Sequence, residues 1–405
     1  MTAPIRLLAV HQGGGIGGAP VSLLKLVAAL DPTEFEAHAV FTESGDVLDY
    51  ARAVGVSADV VPTGGAFFYS AHARLGVRSI SRFIRTFPRA VHLARRALRQ
   101  NRPDLVHLNT SVLLAWAAAA RRERLPLVWV VREVLGPNRW LRAWHAGFIA
   151  RHARRIVAIS DSVAACLPRS ARVDRVDNAV DLGDFRLDLL AERPAIRSEL
   201  SIAPEAQVVM VVGSVQHPKG HWLILDALPA FPPQAELVLV TGGVDAHTYA
   251  HQPRGRVKRA LRLPLDNLDA FMRDARHRGL ADRITVTGFQ RDVARAIAAS
   301  DVLVFPSLEP EGFGRPIIEA MALERPVVAT DVGPSRDLLG LGTGRLVPPE
   351  PTALANAVVD LLDSPDTRQR MGRAGRARVE ACFSLERQVA QMSAVYRQAL
   401  ERKRV

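Results

Sequence analysis

The chain has 405 residues and a formal net charge of +12, with 53 Lys and Arg against 41 Asp and Glu. This length is more than one average domain holds and fits two α/β domains, while the positive charge favours partners that carry phosphate or another anionic group. The two cysteines, Cys166 and Cys382, are far apart and lack nearby histidines at ligand spacing, so they indicate neither a disulfide framework nor a zinc site and suit a reducing cytoplasm.

The chain opens on a strand-like run, Ile5–Val10, and we find no apolar segment there long enough for a signal peptide or a membrane span. A glycine-rich turn follows, with Gly13, Gly15 and Gly18 at the spacing of a dinucleotide-binding fingerprint, and a helical run ends near Leu30. The next strand-like run is His38–Phe41. Alone the fingerprint is weak, because such turns serve any ligand that approaches a backbone closely. Nicotinamide binding would also leave a more specific segment, described below, without a role.

A basic segment without Asp or Glu spans residues 66–102. Five of its arginines recur at three- and four-residue spacing and share one helical face: Arg74, Arg78, Arg82, Arg85 and Arg89. Pro88 predicts a break between two helices. One interpretation is a helix that lies in anionic lipid headgroups. The other is a helix whose apolar face packs on its own domain and whose arginines are solvated.

Three further apolar runs in the first half alternate with helical runs, which favours a doubly wound parallel sheet. They are Leu105–Leu108, Leu127–Val131 and Arg155–Ile159. Polar residues follow these strands at the carboxyl edge, where site residues emerge, and we single out Asn109, Arg132 and Glu133. His107 is interpreted as a core histidine. Asn109 can bond a sugar hydroxyl but cannot move a proton at neutral pH.

The second half contains six more strand-like runs separated by helical runs. They are Val208–Val212, Leu237–Val240, Ile284–Val286, Asp301–Phe305, Pro326–Thr330 and Gly344–Val347. The stretch His251–Leu263 is rich in Arg and Lys and is interpreted as a surface insertion.

The most specific segment is Phe305–Ala322, which predicts a strand, a glycine-bearing loop and a helix with Pro316 at its first position. Such a junction directs backbone N–H groups and the positive end of the helix dipole into a crevice, where phosphates and sugar hydroxyls can be held. Two carboxylates, Glu311 and Glu319, bracket it and suit the diols of a sugar or ribose.

This segment resembles the signature of the family 4 glycosyltransferases of GT-B fold, a Glu, seven residues and a second Glu around G-F-G-x-P. The matching positions are Glu311, Gly312, Phe313, Gly314, Pro316 and Glu319. Arg315 occupies a position where the family commonly has an aliphatic residue. The resemblance is therefore a weaker guide to the donor-sugar pocket than to the family. The family's interdomain segment, usually N-G-V-D-x-x-x-F, is also matched, at Asn178, Val180, Asp181 and Phe185.

The resemblance implies an α/β protein of GT-B architecture, with two Rossmann-like doubly wound domains facing a central cleft. Residues 1–180 would form the acceptor-side domain and residues 181–384 the domain that binds the nucleotide sugar. Residues 385–405 would form a helix that packs back on the first domain.

The resemblance also implies roles for single residues. Glu311 would contact the donor sugar hydroxyls, Glu319 the ribose, and Lys219 would neutralise the diphosphate leaving group, so Lys219 and Glu311 are the catalytic candidates. Many relatives carry an Arg where this chain has Ser214, and Arg132 or Arg139 could supply that cation instead. The remaining donor-binding candidates are Gly15, Gly17, Gly18, Ser214, Gly288, Phe289, Gly312, Phe313, Gly314 and Arg315. The acceptor-side candidates are Asn109, Arg132 and Glu133.

We therefore predict a retaining glycosyltransferase that moves a sugar from a nucleotide diphosphate, UDP- or GDP-linked, to a hydroxyl of a glycan or lipid-linked acceptor. No cofactor is expected, and no metal, because the sequence contains no D-x-D pattern. We expect a cytoplasmic protein at the inner face of an anionic membrane, active in surface glycan or glycolipid synthesis and without a nucleic-acid partner. The alternatives are a sugar-nucleotide epimerase of the same fold and a non-catalytic sugar-nucleotide or glycan binder.

Overall fold

The computed structural model describes residues 3–64, 67, 69, 70, 76–241 and 266–401. The chain forms two compact units. Unit 1 comprises Met1–Ala179, Glu311–Phe313 and Phe383–Val405, and unit 2 comprises Val180–Pro310 and Gly314–Cys382. The predicted insertion at 251–263 and the first arginine of the basic stripe, Arg74, lie outside the described residues.

Unit 1 is built on a parallel sheet of seven strands in the order β3-β2-β1-β4-β5-β6-β7. The strands are β1 Ile5–His11, β2 Phe35–Phe41, β3 Ala58–Val60, β4 Leu105–Leu108, β5 Leu127–Val131, β6 Arg155–Ala158 and β7 Val173–Arg175. The central strands β4 and β5 are buried along their whole length, as expected for apolar runs covered by helices on both faces. The strand order reverses between β1 and β4, and in such sheets ligands bind at the carboxyl ends beside that point.

Seven helices cover this sheet in the described part of unit 1. They are α1 Gly18–Ala28, α2 Val47–Ala53, α3 Val77–Asn101, α4 Leu114–Arg122, α5 Arg139–His152, α6 Asp161–Ala164 and, from the end of the chain, α15 Leu385–Leu400. Helix α15 packs against α1, β4 and β5.

The prediction that Pro88 divides the basic segment into two helices was wrong, because α3 runs through Pro88 without interruption. Proline removes the hydrogen bond to the carbonyl of Ile84, four residues earlier. Ile84 and Pro88 are both exposed, so water can solvate that carbonyl and the helix continues.

Unit 2 is built on a parallel sheet of six strands in the order β10-β9-β8-β11-β12-β13. The strands are β8 Gln207–Val212, β9 Ala235–Val240, β10 Ile284–Val286, β11 Val302–Phe305, β12 Val327–Thr330 and β13 Arg345–Val347. The described helices are α7 Arg193–Glu199, α8 His221–Ala227, α9 Asn267–His277, α10 Val293–Ala298, α11 Arg315–Ala322, α12 Ser335–Leu338, α13 Pro351–Asp363 and α14 Pro365–Cys382. Here the order reverses between β8 and β11.

A largely buried ion cluster fixes the amino end of β11. Asp301 accepts from Arg193 at 2.5 Å and from Arg197 at 2.9 Å, and its carboxylate also accepts the backbone N–H of Val208 at 2.8 Å. Burial alone would raise the pKa of Asp301, but the two guanidinium groups and the backbone donor outweigh it and lower that pKa. The carboxylate therefore stays charged and ties β11 to β8.

These two parallel-sheet, Rossmann-like units confirm the predicted fold class. No helix among the described residues is both long enough and apolar enough to cross a bilayer.

Candidate functional site

Arg132 lies at the centre of the site candidates in unit 1. It is the first residue after β5, and its guanidinium donates from Nη1 to Oδ1 of Asn109 at 3.2 Å and from Nη2 to Oδ1 of Asn178 at 2.6 Å. The amide of Asn109 in turn donates to Nδ1 of His11 at 3.0 Å and to the carbonyl of Ala19 at 3.2 Å. This network joins the carboxyl ends of β1, β4 and β5 to the chain after β7.

The two histidines near this network are neutral. Burial, followed by the charge of Arg132, lowers the pKa of His11 from 6.5 to about 3. Burial also lowers the pKa of His107 to about 3, and its Nδ1 lies 2.6 Å from the Tyr396 hydroxyl on α15. His107 is thus a core histidine, as expected. His11 had no predicted role, although its place at the carboxyl end of β1 was a usable signal.

Glu133 links the loops after β4 and β5. Its carboxylate accepts from Oγ1 of Thr110 at 2.5 Å, from the backbone N–H of Ser111 at 3.0 Å and from that of Arg132 at 3.3 Å. These three donors fix the side chain that was singled out for the acceptor side. Asn109, the neighbouring candidate, is only 1% exposed, and its side chain contacts His11, Ala19 and Arg132 inside the unit.

The segment Glu311–Phe313 groups with unit 1. Ser160 donates from its hydroxyl to the carbonyl of Gly312 at 2.7 Å, and a Cβ at Gly312 would lie 2.0 Å from the carbonyl oxygen of Arg132. Only glycine allows that approach. Phe313 is buried and meets the ring of Phe383 edge-on, with ring centroids 6.2 Å apart.

The glycine-rich turn of unit 1 leads directly into α1. Gly18 is the first residue of that helix, and Gly17 precedes it with an extended backbone. A Cβ at Gly15 or Gly17 would meet no atom within 4 Å. The turn therefore leaves open space above the start of α1, as a site for a bulky ligand requires.

In unit 2, two loops pack on the end of β11. Gly220 has φ +73°, and a Cβ there would lie 1.8 Å from the carbonyl oxygen of Pro306. Gly314 has φ +96°, and a Cβ there would lie 3.3 Å from the ring of Phe305. Pro218 reinforces the first contact, because its carbonyl accepts the backbone N–H of Leu308 at 2.8 Å. The turn after β8 and the start of α11 therefore both pack on the end of β11.

Lys219 and Ser214 both belong to the turn after β8. The ammonium Nζ of Lys219 would lie 3.4 Å from a Cβ at Gly213, so the side chain folds back over the end of β8. Burial, and to a smaller extent the charge of Lys219, lowers the pKa of His221 to about 4. Ser214 accepts at Oγ from the amide of Gln216 at 3.1 Å.

Arg315 and Glu319 form an ion pair on the first turn of α11. Nε and Nη2 of Arg315 both lie 2.9 Å from Oε1 of Glu319, and the two side chains are 18% and 7% exposed. Helix α11 begins at Arg315 itself, one residue before the proline that was expected to open it. The structure therefore brings together Lys219, Gly314, Arg315 and Glu319 at one end of unit 2.

Gly288 and Phe289 follow β10, two strands away from β8 at the same sheet edge. Gly288 has φ +74° and Phe289 is 54% exposed. Gln290 closes this loop by donating from its amide to the carbonyl of Thr287 at 2.9 Å. An exposed aromatic ring at this edge can stack on a base or a sugar.

Within the part of the chain that the structure describes, no group of three or more His, Cys, Asp or Glu could hold a metal ion. The charged groups at the unit 2 edge are those that suit a diphosphate and a ribose: cations at Lys219 and Arg315, a carboxylate at Glu319, and the start of α11.

Two protein-family models match the chain. Residues 16–184 match the family model described as "Glycosyltransferase Family 4", and residues 192–378 match the one described as "Glycosyl transferases group 1". The chain belongs to glycosyltransferase family 4.

Several family relatives resemble parts of the chain. The D-inositol 3-phosphate glycosyltransferase of Segniliparus rotundus is 32% identical over 56% of this chain and 47% of its own length, so the chain spans about half of that enzyme. The lipopolysaccharide core biosynthesis mannosyltransferase LpsB of Rhizobium meliloti is 26% identical over 72% of this chain and 83% of that protein.

A solved structure matches over nearly the whole chain. HepE of Anabaena, solved with UDP and glucose, has 21% identity and a TM-score of 0.77 over 96% of this chain and 99% of its own. At this identity the likeness concerns the fold, and it confirms the predicted GT-B architecture.

Proposed function

We propose that this family 4 protein is a retaining glycosyltransferase that moves a sugar from a nucleoside diphosphate to an acceptor hydroxyl. The proposal rests on the observation that two loops of unit 2 pack on the end of the same strand. Gly220 and Gly314 pack on the consecutive residues Pro306 and Phe305, so the Lys219 cation and the Arg315–Glu319 pair lie at the same end of β11. Cations next to a carboxylate suit a diphosphate joined to a ribose.

The chemistry follows from these charges. The bond between the anomeric carbon and the diphosphate oxygen breaks, and the acceptor oxygen bonds to that carbon from the same face. The departing phosphate takes the acceptor proton. Lys219 stabilises the negative charge that develops on the leaving group, and Glu319 binds the ribose through contacts that change little during the reaction. Glu311 would contact the sugar hydroxyls.

The acceptor side of the proposal rests on unit 1. Arg132, held by Asn109 and Asn178, and Glu133, held by Thr110 and Ser111, present charged groups at the carboxyl edge of the sheet. The name of LpsB, a mannosyltransferase of lipopolysaccharide core biosynthesis, supports a glycan or lipid-linked acceptor. HepE, solved with UDP and glucose, supports a nucleotide-linked donor, and we propose one linked to UDP or GDP.

Contact with an anionic membrane surface is the third part of the proposal, and the protein would work at the inner face of the membrane in the cytoplasm. The amino-terminal half of α3 exposes Arg78, Arg82 and Arg85, together with Ile80 at 39% and Ile84 at 64%. Cations beside exposed apolar side chains favour the headgroup layer.

Helix α5 adds exposed aromatic residues next to the basic segment, and the sequence did not predict them. Trp140 is 73% exposed and Trp144 49%. The ring of Phe67 contacts both Trp144, at 5.3 Å between centroids, and Phe83 of α3, at 5.2 Å. Helix α5 and the basic helix α3 therefore both pack on Phe67, which supports a shared surface. Exposed tryptophan is typical of membrane interfaces.

A panel of UDP- and GDP-sugars tests the transferase proposal. Slow hydrolysis to nucleoside diphosphate and free sugar, accelerated by an acceptor, supports transfer. Formation of an isomeric sugar nucleotide would favour an epimerase, and saturable binding without turnover would favour a non-catalytic binder. The same assay with excess EDTA tests the expected independence from metal, since loss of activity that magnesium or manganese restores would overturn it.

A further inference from the structure

The turn after β8 contains Lys219, but Ser214 occupies the position where the family resemblance leads one to expect an Arg. Arg315 departs from the family pattern in the opposite sense, since a cation replaces an aliphatic residue. We propose that Arg315 is the second cation of the diphosphate site and compensates for the serine at position 214. The inference rests on the proposed function and identifies which residue recognises the phosphates.

The backbone places Arg315 and Lys219 in two loops that both pack on the end of β11. Lys219 immediately precedes Gly220, which is packed on the carbonyl of Pro306, and Arg315 immediately follows Gly314, which is packed on the ring of Phe305. Both glycines have positive φ, so each loop turns sharply at its contact. The two cations therefore belong to loops that pack on consecutive residues at the end of one strand, and the inference is that one diphosphate contacts both.

The ion pair with Glu319 holds the Arg315 side chain over the first turn of α11. Nε and Nη2 of Arg315 both lie 2.9 Å from the same oxygen, Oε1 of Glu319. A guanidinium carries five N–H donors in a planar fork, so one arginine can donate to a carboxylate and to a phosphate at the same time. The pair is mostly buried, at 18% and 7% exposure, so solvent screens its charges less than those of a surface pair.

The other two arginines considered for this role are held by groups of unit 1. Arg132 donates to Asn109 and Asn178, and the guanidinium of Arg139 lies 4.6 Å from the ring centroid of Trp140. Arg315 belongs to the same unit and the same sheet edge as Lys219. It is therefore the candidate that the structure of unit 2 itself supports.

A simpler role for Arg315 would be to orient Glu319 for the ribose, and the two roles differ in their dependence on phosphate. A cation of the diphosphate site contributes more to the binding of a diphosphate than to that of a nucleoside. A residue that only orients Glu319 contributes equally to both, because both contain the ribose.

Calorimetric titration with uridine, UMP and UDP, and with guanosine, GMP and GDP, separates these roles. In Arg315→Leu we expect the affinity for whichever diphosphate the wild type binds, UDP or GDP, to fall by about 10-fold or more. This is the change that the loss of one charged hydrogen bond typically causes. The loss should be smaller for the monophosphate and smallest for the nucleoside. Arg315→Lys, which keeps the charge, should retain most of the diphosphate affinity and guards against a folding defect in the leucine variant.

The decisive variant adds Ser214→Arg to Arg315→Leu. Recovery of diphosphate affinity, without a change in nucleoside affinity, supports the inference, and no recovery opposes it. Arg278→Leu is the matched control. This variant also removes one positive charge, but at the sheet edge opposite to Lys219 and Arg315, because Arg278 follows α9 and precedes β10. There Arg278 pairs with Asp226 and Asp274.

Two negative outcomes have different meanings. Equal affinity losses for nucleoside and diphosphate in Arg315→Leu would overturn the inference and leave the proposed function standing. If the wild type bound neither diphosphate, the proposed function and the inference would fail together.

Discussion

A hydrogen bond of 2.6 Å joins the hydroxyl of Tyr396 to Nδ1 of His107, although the two residues are 289 positions apart. Tyr396 lies on α15 and His107 in β4, and both side chains are buried. Burial raises the pKa of the tyrosine well above its ordinary value, so its hydroxyl stays protonated. The bond fastens the last helix of the chain to the central strands of unit 1.

Replacing Tyr396 by Phe should destabilise this attachment by about 1–3 kcal/mol, because a buried nitrogen of His107 then loses its partner. Hydrogen exchange of the α15 amides measures the effect locally. The double variant Tyr396→Phe/His107→Leu should recover part of the loss, since it removes the orphaned group as well. Unchanged exchange in Tyr396→Phe would show that apolar packing alone holds the helix.

Acid should destabilise unit 1 through its buried histidines. The pKa of His11 and of His107 is lowered from 6.5 to about 3 in each case by burial. Between those pH values the unfolded chain binds protons that the folded chain does not, so stability falls as pH falls from about 6.5 towards 3. Each histidine contributes at most about 1.4 kcal/mol per pH unit.

Urea unfolding at several pH values measures that slope. Between about pH 6.5 and pH 3, the free energy of unfolding of His107→Gln should fall less steeply with decreasing pH than that of the wild type. The difference in slope should correspond to about one bound proton. Identical slopes for the two proteins would mean that His107 is already protonated in the folded state.

Most of the sheet could be predicted from the sequence because its strands are continuous apolar runs. Leu105–Leu108 and Leu127–Val131 begin and end where they were expected. The edge strands β3 and β7 were missed, because each has three residues and no fully buried position. A run that short, without an apolar pattern, cannot be told from a loop.

The site was harder to predict, because its contacts join distant parts of the chain. Arg132 meets Asn178 across 46 positions, and nothing local in the sequence pairs them. The Arg315–Glu319 pair was accessible in principle, since residues four apart share a helix face. It was overlooked because Arg315 was considered only as a departure from the family pattern.

Lys219→Ala should lower the turnover rate by about 100-fold or more while the fold stays intact, because removing one preorganised charge at a leaving group costs about 3–4 kcal/mol. Steady-state kinetics with a saturating donor measures it. Arg278→Ala removes a charge at the other sheet edge and should turn over normally. Near-normal turnover of the Lys219 variant would remove this residue from the mechanism.

Glu319→Ala should mainly raise the KM for the donor, by about 10-fold or more, with a small change in kcat. Its proposed partners, the ribose hydroxyls, change little in the transition state, so the contact is uniform binding. The KM for the acceptor serves as the internal control and should not move. A large fall in kcat with an unchanged donor KM would instead give Glu319 a chemical role.

The membrane proposal depends on α3 being more than a solvated helix. Its exposed cations, Arg78, Arg82 and Arg85, would each contribute on the order of 1 kcal/mol near an anionic surface, and salt would screen them. Exposed Ile84 on the same helix and Trp140 on α5 supply apolar area that a purely electrostatic contact does not need. Both terms are needed for stable attachment, because neither is large alone.

Sedimentation with liposomes decides between the two interpretations. The wild type should pellet with anionic vesicles at low salt and stay in solution with neutral ones, and its tryptophan fluorescence should shift to the blue as Trp140 enters the headgroup layer. The test variant reverses three charges on α3: Arg78→Glu, Arg82→Glu and Arg85→Glu. The control makes the same charge change on exposed arginines of unit 2: Arg276→Glu, Arg370→Glu and Arg373→Glu. Only the α3 variant should stay in solution, since the proposal assigns binding to one surface and not to net charge. If both triple variants lost binding equally, the attraction would come from the overall charge of the protein, and α3 would be an ordinary solvated helix.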